Sequence, residues 1–124
     1  INIIKSGPIK IFNNTYSCFE QNHGNEITYG YRFNDFVYST DVKSFPKASE
    51  KYLQDIKLWI VDCVRFEPHY SHSHFEQTLS WIDKYKPKKA ILTHLGAWLD
   101  YEKLKKLCPA NVFPAYDGQI IILT

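Results

Sequence analysis

The stretch LWIVDCVRFEPHYSHSHFEQTLSWIDKYKPKKAILTH, residues 58–94, decides the fold class. It opens with the apolar run Leu58–Val64 and closes with the apolar run Ala90–Thr93. Short continuous apolar runs are typical of strands that are buried on both faces. Between them, Phe75–Lys84 carries apolar residues at the spacing of one helix face, which predicts a helix. Strand, helix and strand in this order predict an α/β domain whose helices pack on a sheet.

The flanking sequence adds strands on one side and a helix on the other. After the apolar run Ile1–Ile4, β-rich segments separated by turn signals predict four strands: Ile9–Phe12, Thr15–Gln21, Ile27–Phe33 and Phe36–Ser39. A short helix is expected over Ser44–Leu53, with Ser44 as its N-cap. Beyond residue 94 we expect a helix from Asp100 through Leu107, with Leu104 and Leu107 facing inward, and a hairpin at Asp117-Gly118 between Val112–Tyr116 and Gln119–Leu123.

Composition limits the classes of protein that fit. The chain has 124 residues and a formal charge of +2, which fits one unit, 1–124, and does not indicate nucleic acid or a membrane surface as a partner. Its 44% hydrophobic content excludes wholesale disorder. The sequence has no apolar run near the roughly 20 residues of a membrane helix, and no N-terminal stretch resembles a secretory signal.

The cysteines bear on the cellular compartment, and the absence of methionine bears on whether the sequence is part of a longer chain. Three cysteines, far apart and without a C-x-x-C pair, support neither a disulfide framework nor a thiolate zinc site. We therefore expect a cytoplasmic protein. The sequence has no methionine and begins with Ile1, so we expect it to be a piece of something longer.

Three residues with metal-ligand chemistry follow predicted strands. His23 follows the second strand, Asp41 the fourth, and His94 the strand Ala90–Thr93. Imidazole nitrogen and carboxylate oxygen suit zinc, manganese or iron. The alternative for each is ordinary: a loop histidine exposed to solvent, or an aspartate that forms a turn or caps a helix.

The loop Pro68–His74 contains His69, His72 and His74, three of the five histidines. Histidine titrates near neutrality, so this density favours acid–base or substrate contacts. The alternative is a polar loop in which His74 caps the next helix. Asp62 lies in an apolar strand, where a carboxylate is costly unless paired, so it is either an active-site group or a buried hydrogen-bond acceptor.

An ordered set of short strings resembles one family. The strings are His23-Gly24, Gly30-Tyr31-Arg32-Phe33, Tyr38-Ser39-Thr40-Asp41, Trp59-Ile60-Val61-Asp62-Cys63, Pro68-His69-Tyr70-Ser71-His72, Glu76-Gln77-Thr78-Leu79, Ala90-Ile91-Leu92-Thr93-His94, Asp100-Tyr101 and Tyr116-Asp117-Gly118. Together they resemble the C-terminal half of a metallo-β-lactamase-fold hydrolase. The nearest branch is that of phosphoribosyl 1,2-cyclic phosphate phosphodiesterase.

The resemblance implies roles for five residues. His23, Asp41 and His94 match metal ligands, and Asp41 matches the carboxylate that bridges two ions. His72 matches a histidine near the substrate phosphate, a candidate general acid. His69 matches a substrate-binding position.

The resemblance also implies an incomplete domain. The family's His-x-His-x-Asp-His motif is absent, and with it four metal ligands. We expect half of an αββα sandwich, a mixed sheet with about three helices on one side. The complete domain would bind two divalent ions, zinc or manganese, and a small phosphodiester, whereas this chain alone would hold little or no metal.

Two functions follow from an incomplete domain. The first is a fragment of a metal-dependent phosphodiesterase-like hydrolase. The alternative is a catalytically silent half-domain, from a split or decayed gene, that serves as an assembly or interaction module. In either case, strands such as Ile27–Phe33, Leu58–Val64 and Ala90–Thr93 would lack cover on one face. The chain is therefore expected to pair with the missing N-terminal half or to dimerise with a second copy.

Overall fold

The computed structural model describes residues 3–123, and these form one seven-stranded mixed sheet with two α-helices and one 3-10 helix. The elements in chain order are β1 (Gly7–Ile11), β2 (Asn14–His23), β3 (Glu26–Phe33), β4 (Phe36–Ser39), a 3-10 helix (Lys47–Leu53), β5 (Leu58–Asp62), α1 (Phe75–Tyr85), β6 (Lys89–Thr93), α2 (Tyr101–Leu107) and β7 (Val112–Pro114). The predicted class, α/β with about three helices, is confirmed.

The strands lie in the sheet in the same order as in the chain. The first four are antiparallel neighbours, whereas β4, β5, β6 and β7 are parallel neighbours. Because β2 is two antiparallel steps from β4, it runs in the same direction as the parallel strands. The carboxyl ends of β2, β4, β5, β6 and β7 therefore meet at one edge of the sheet.

The hydrophobic core lies on the helix-covered face of the sheet. Alternate residues of the central strands, such as Trp59, Val61 and Leu92, are fully buried there. Phe75, Ile82 and Tyr85 from α1, Leu104 from α2 and Leu53 from the 3-10 helix join the same cluster. The helices thus cover one face of the sheet, and α1 uses the apolar residues whose spacing predicted it.

The opposite face, which we call the open face, carries its own apolar row. Strand register places one residue of each strand in this row: Gly7, Cys18, Tyr31, Tyr38, Ile60, Ile91 and Phe113. None of them belongs to the core cluster; Tyr38 and Phe113 are 40% and 42% exposed, whereas Cys18 and Ile91 are buried. Beside the row, Ile11, Tyr16, Tyr31, Phe33 and Phe36 line an apolar hollow of about 400 Å³.

The region between β4 and β5 differs from the predicted helix over Ser44–Leu53. Ser44 forms a β-bridge with Asn22 instead of capping a helix, and its carbonyl accepts the Asn22 N–H at 2.9 Å. A single 3-10 segment begins only after Pro46, at Lys47. The backbone of residue 44 is engaged by the sheet, so the predicted N-cap is wrong.

The predicted C-terminal hairpin is also wrong. The Asp117-Gly118 turn forms, with Gly118 at φ +82° and the Gln119 N–H bonded to the Tyr116 carbonyl. Residues 119–123 nevertheless pair with no strand of the described chain. β7 pairs with β6 and ends at Pro114, because turn chemistry specifies a turn and not the partner that follows it.

The other differences are small. Asp100 caps α2 as predicted, accepting the Lys103 N–H at 2.9 Å, and Leu104 is buried, but Leu107 is 51% exposed. β1 spans Gly7–Ile11 instead of Ile9–Phe12. Of the run Ile1–Ile4, residues 1–2 lie outside the described part and residues 3–4 lie in no strand.

Candidate functional site

Four strand ends converge on one edge of the sheet and carry the candidate residues. His23 ends β2, Asp41 follows β4, Asp62 ends β5 and His94 follows β6. The three predicted ligands and His72 therefore lie together. The Oδ1 atom of Asp41 is 3.5 Å from His94 Nδ1 and 3.8 Å from His72 Nδ1.

Asp41 and His94 share an unusual backbone conformation. Their φ angles are +53° and +58°, in the left-handed region that residues other than glycine rarely adopt. A residue in this conformation persists where the surrounding structure holds it. Outside the site, similar φ angles occur at Phe12, Asn34, Asp55 and Lys86. Both side chains are about half exposed, at 47% and 45%, so they are available to a ligand.

Asp62 is fully buried, and its carboxylate links two histidines of the site to the backbone that follows Asp41. Its Oδ2 accepts hydrogen bonds from His72 Nδ1 at 2.9 Å and from the Val42 N–H at 3.2 Å. Its Oδ1 accepts from His94 Nδ1 at 3.0 Å. The Asp62 carbonyl accepts from two buried hydroxyls, Ser73 at 2.6 Å and Thr78 at 2.7 Å. The carboxylate predicted to need a partner has three donors.

These contacts fix which nitrogen of each histidine is free. Carboxylate oxygens accept, so Nδ1 of His72 and of His94 carries the hydrogen and Nε2 keeps its lone pair. His23 is held in the same way, because its Nδ1 donates to the Ser71 carbonyl at 2.8 Å. Three histidines therefore present Nε2 as a potential ligand or proton acceptor.

His69 has the opposite tautomer. Its Nδ1 accepts the backbone N–H groups of Ser71 and His72, both at 3.2 Å, so Nε2 carries the hydrogen. The ring stacks on Tyr70, with centroids 4.9 Å apart. Burial, reinforced by the positive charge of Arg65, lowers the pKa of His69 below its usual value. His69 is therefore a neutral hydrogen-bond donor at pH 7.

His72 lies at the centre of the histidine cluster. Its ring centroid is 4.5 Å from that of His23, 4.8 Å from that of His94 and 5.1 Å from that of His69. His74 does not join this cluster by any ring contact. It occupies the N-cap position of α1 without a side-chain capping bond, so the predicted side-chain cap is absent. Burial lowers its pKa, and its buried Nδ1 finds no partner within residues 3–123.

The donor set fits a divalent metal ion. Ligand atoms of His23, Asp41 and His72 lie within 4.8 Å of one another, and imidazole with carboxylate suits zinc or manganese. The predicted ligand His94 is not in this group, although its Nδ1 lies 3.5 Å from Asp41 Oδ1. Asp62, His72 and His94 form a second such group. The Asp62 oxygens already accept three hydrogen bonds, so that group is better described as a carboxylate that orients two histidines.

The site opens onto solvent next to the open face. Tyr38, Thr40, Asp41, Thr93 and His94 line a hollow of about 290 Å³. Tyr38 belongs to the apolar row, so a partner that covered the open face would reach this hollow. Sequence reasoning left Asp62 without a definite role, although a lone carboxylate in an apolar strand was the signal. It did not find Gln21 or Thr28, which donate hydrogen bonds to the carbonyls of Thr40 and Asp41.

The structure is thus a mixed α/β sheet that has helices on one face and carries histidines and aspartates at its strand ends. Residues 1–95 match the family model described as the beta-lactamase superfamily domain, and the chain belongs to this family. The family and the resemblance to a metallo-β-lactamase-fold hydrolase are thereby confirmed.

The chain is similar to several solved structures, one of which is a diphosphatase. A diphosphatase of the PhnP family is 30% identical, with a TM-score of 0.92 over 98% of this chain and 48% of that chain. The metallo-beta-lactamase fold protein YhfI from Bacillus subtilis is 17% identical, with a TM-score of 0.72 over 93% of this chain and 52% of that one. Human tRNase Z, short form, is 14% identical, with a TM-score of 0.71 over 94% and 46%. The last two likenesses concern the fold alone.

A protein from Porphyromonas gingivalis named octanoyltransferase is 26% identical over 114 residues, which are 90% of this chain and 23% of that protein. The chain thus spans less than a quarter of this relative and about half of the diphosphatase. Within residues 3–123, no helix has the length and apolar character needed to cross a bilayer.

Proposed function

We propose that this chain is the C-terminal half of a divalent-metal-dependent, phosphodiesterase-like hydrolase. The observation that carries the proposal is the convergence of His23, Asp41, His72 and His94 at one sheet edge. The 30% identity to a diphosphatase supports phosphorus chemistry. His23, Asp41 and His94 would hold divalent ions, zinc or manganese, in the complete domain. Such ions supply Lewis acidity and activate water.

The remaining residues act on the substrate. His72 keeps Nδ1–H on Asp62, so its Nε2 can carry the proton of an imidazolium and donate it to the leaving oxygen. The neutral Nε2–H of His69 would donate a hydrogen bond to a phosphate oxygen. Nε2 of His72 would thus deliver the proton, and Nε2 of His69 would orient the substrate.

The open face would be covered by the other half of the domain. The chain matches 48% of the length of the diphosphatase, and the apolar row borders the site at Tyr38. A layer packed on this row would bury apolar surface and bring further ligands to the hollow. Where that half is absent, a second copy of the chain is the expected cover, and little or no metal would bind tightly.

Complementation tests the proposed function. The 124-residue chain would be combined with the first half of the PhnP-family diphosphatase, in the presence of Mn²⁺, and assayed on bis(4-nitrophenyl) phosphate. We expect hydrolysis that is lost in His72→Ala and retained in His74→Ala, the matched control. A well-formed one-to-one complex without hydrolysis would contradict the proposal and favour the silent assembly module. Elemental analysis of the isolated chain after dialysis checks the metal expectation.

A further inference from the structure

We propose that Gln21 and Thr28 are positioning residues that hold Asp41 in its left-handed conformation and thereby aim its carboxylate. The proposal rests on the proposed function in that it takes Asp41 as a ligand. Gln21 on β2 and Thr28 on β3 are directly opposite each other in the strand register. Neither residue carries metal-ligand chemistry of its own, and both point to the turn after β4 through hydrogen bonds.

The hydrogen bonds hold both peptide groups that flank the Asp41 Cα. Gln21 Nε2 donates to the Thr40 carbonyl at 2.9 Å and to Thr28 Oγ1 at 3.3 Å. Thr28 Oγ1 in turn donates to the Asp41 carbonyl at 2.7 Å. The carbonyl before Asp41 is therefore held by Gln21, and its own carbonyl by Thr28.

The peptide group between Asp41 and Val42 is held from two sides. Thr28 binds its carbonyl, and Asp62 Oδ2 accepts its N–H at 3.2 Å. Rotation of this group would break both hydrogen bonds. With the preceding carbonyl also fixed, φ and ψ of Asp41 are both determined. This surrounding structure offsets the unfavourable left-handed conformation of a non-glycine residue.

Gln21 is poorly explained as a packing residue. It is fully buried, yet its Oε1 finds no hydrogen-bond partner among residues 3–123. A buried unsatisfied acceptor is destabilising, so an apolar side chain of this size would serve packing better. Space for Gln21 also requires Gly30, where a Cβ would lie 2.6 Å from Oε1 and 2.3 Å from Phe19 Cζ. The donated hydrogen bonds are what Gln21 contributes.

A thermal double-mutant cycle on the 124-residue chain tests the proposal. Thr28→Val removes the hydroxyl and keeps the shape, and Thr28→Ser, which keeps the hydroxyl, is the control. Asp41→Gly makes the left-handed conformation easy without any support. We expect Thr28→Val to lower the Tm in the parent chain and to lower it by less than half as much in Asp41→Gly. An equal Tm loss in both backgrounds would mean an ordinary buried hydrogen bond and would overturn the proposal. Gln21→Met replaces Thr28→Val if the latter does not fold.

A titration with Zn²⁺ alone, followed by amide NMR shifts, tests the consequence for the site. Residues that support a ligand typically change metal affinity by about 10–100-fold when mutated. We expect Thr28→Ser to match the parent chain and Thr28→Val to bind about tenfold more weakly. Equal affinities for the two variants would contradict a role in aiming the carboxylate. The isolated chain is expected to bind Zn²⁺ only weakly, so the titration extends to millimolar Zn²⁺. Absence of shifts at His23 and Asp41 even there would count against Asp41 as a ligand, and the Tm cycle would still decide the positioning role.

Discussion

Replacing Asp62 with asparagine tests the geometry of the site at its buried centre. Asparagine keeps the size of the side chain but has one accepting oxygen and an amide that can only donate. The native carboxylate accepts from His72 Nδ1, His94 Nδ1 and the Val42 N–H, at 2.9, 3.0 and 3.2 Å. At least one imidazole must then lose its acceptor or change tautomer.

The magnitude follows from which donor is left without an acceptor. Hydrogen bonds to charged groups contribute about 1.5–3 kcal/mol each, and an unsatisfied buried group costs a similar amount. His94 is 45% exposed and can turn to water, whereas His72 is only 15% exposed. We therefore expect Asp62→Asn to lower the free energy of unfolding by about 2–3 kcal/mol.

Urea unfolding followed by circular dichroism measures this change at one fixed protein concentration, because association would shift the apparent stability. Asp83→Asn is the matched control, since Asp83 is exposed on α1 and should change stability by less than about 0.5 kcal/mol. Nitrogen chemical shifts of the imidazoles report the tautomers directly. The reasoning is refuted if Asp62→Asn is as stable as the control and both histidines keep Nδ1–H.

Three further predictions concern other parts of the chain. Burial lowers the pKa of His74 from its ordinary 6.5, so the unfolded chain binds a proton that the folded chain does not. Stability should thus be full above about pH 6.5 and fall below it, and His74→Gln should flatten that slope in urea titrations; an unchanged slope would contradict this. Burial raises the pKa of Cys63 to about 12 and also raises that of Cys18, so a thiol reagent at pH 8 should label neither until urea is added. Light scattering after size exclusion should give a mass above 14.6 kDa for the chain and a smaller one for Ile60→Lys on the open face, whereas a clean monomer of the unmutated chain would show that it covers its own sheet.

Local signals in the sequence predicted most of the sheet. The strand Phe36–Ser39 was predicted with its exact bounds, and α1 was predicted to within one residue of its end. Periodicity sufficed here because each of these segments buries one face in the core. The segment Ser44–Leu53 and the hairpin at Asp117-Gly118 were wrong, because the pairing of Ser44 with Asn22 and of β7 with β6 is decided by distant residues.

The sequence predicted which residues lie at the site but not the hydrogen bonds that join them. His23, Asp41 and His94 could be selected because each follows a strand, and strands of common direction bring their ends together. Asp62 is hydrogen-bonded to Val42, which is 20 positions away in the sequence, and to His94, which is 32 positions away. No local sequence pattern encodes contacts over such separations. The metal and substrate roles stay predictions.

The order of the strands has a consequence for how the chain folds. Every strand pairs with its neighbour in sequence, so no pairing has to wait for a loop to close around a strand formed earlier. The antiparallel part, β1 to β4, needs only tight turns and can form within microseconds, as hairpins do. Each parallel strand needs a crossover connection, so its pairing closes a longer loop than the antiparallel turns do. Because His94 follows β6, its hydrogen bond to Asp62 depends on the pairing of β6 with β5, and the polar centre of the site cannot be completed before that parallel pair exists.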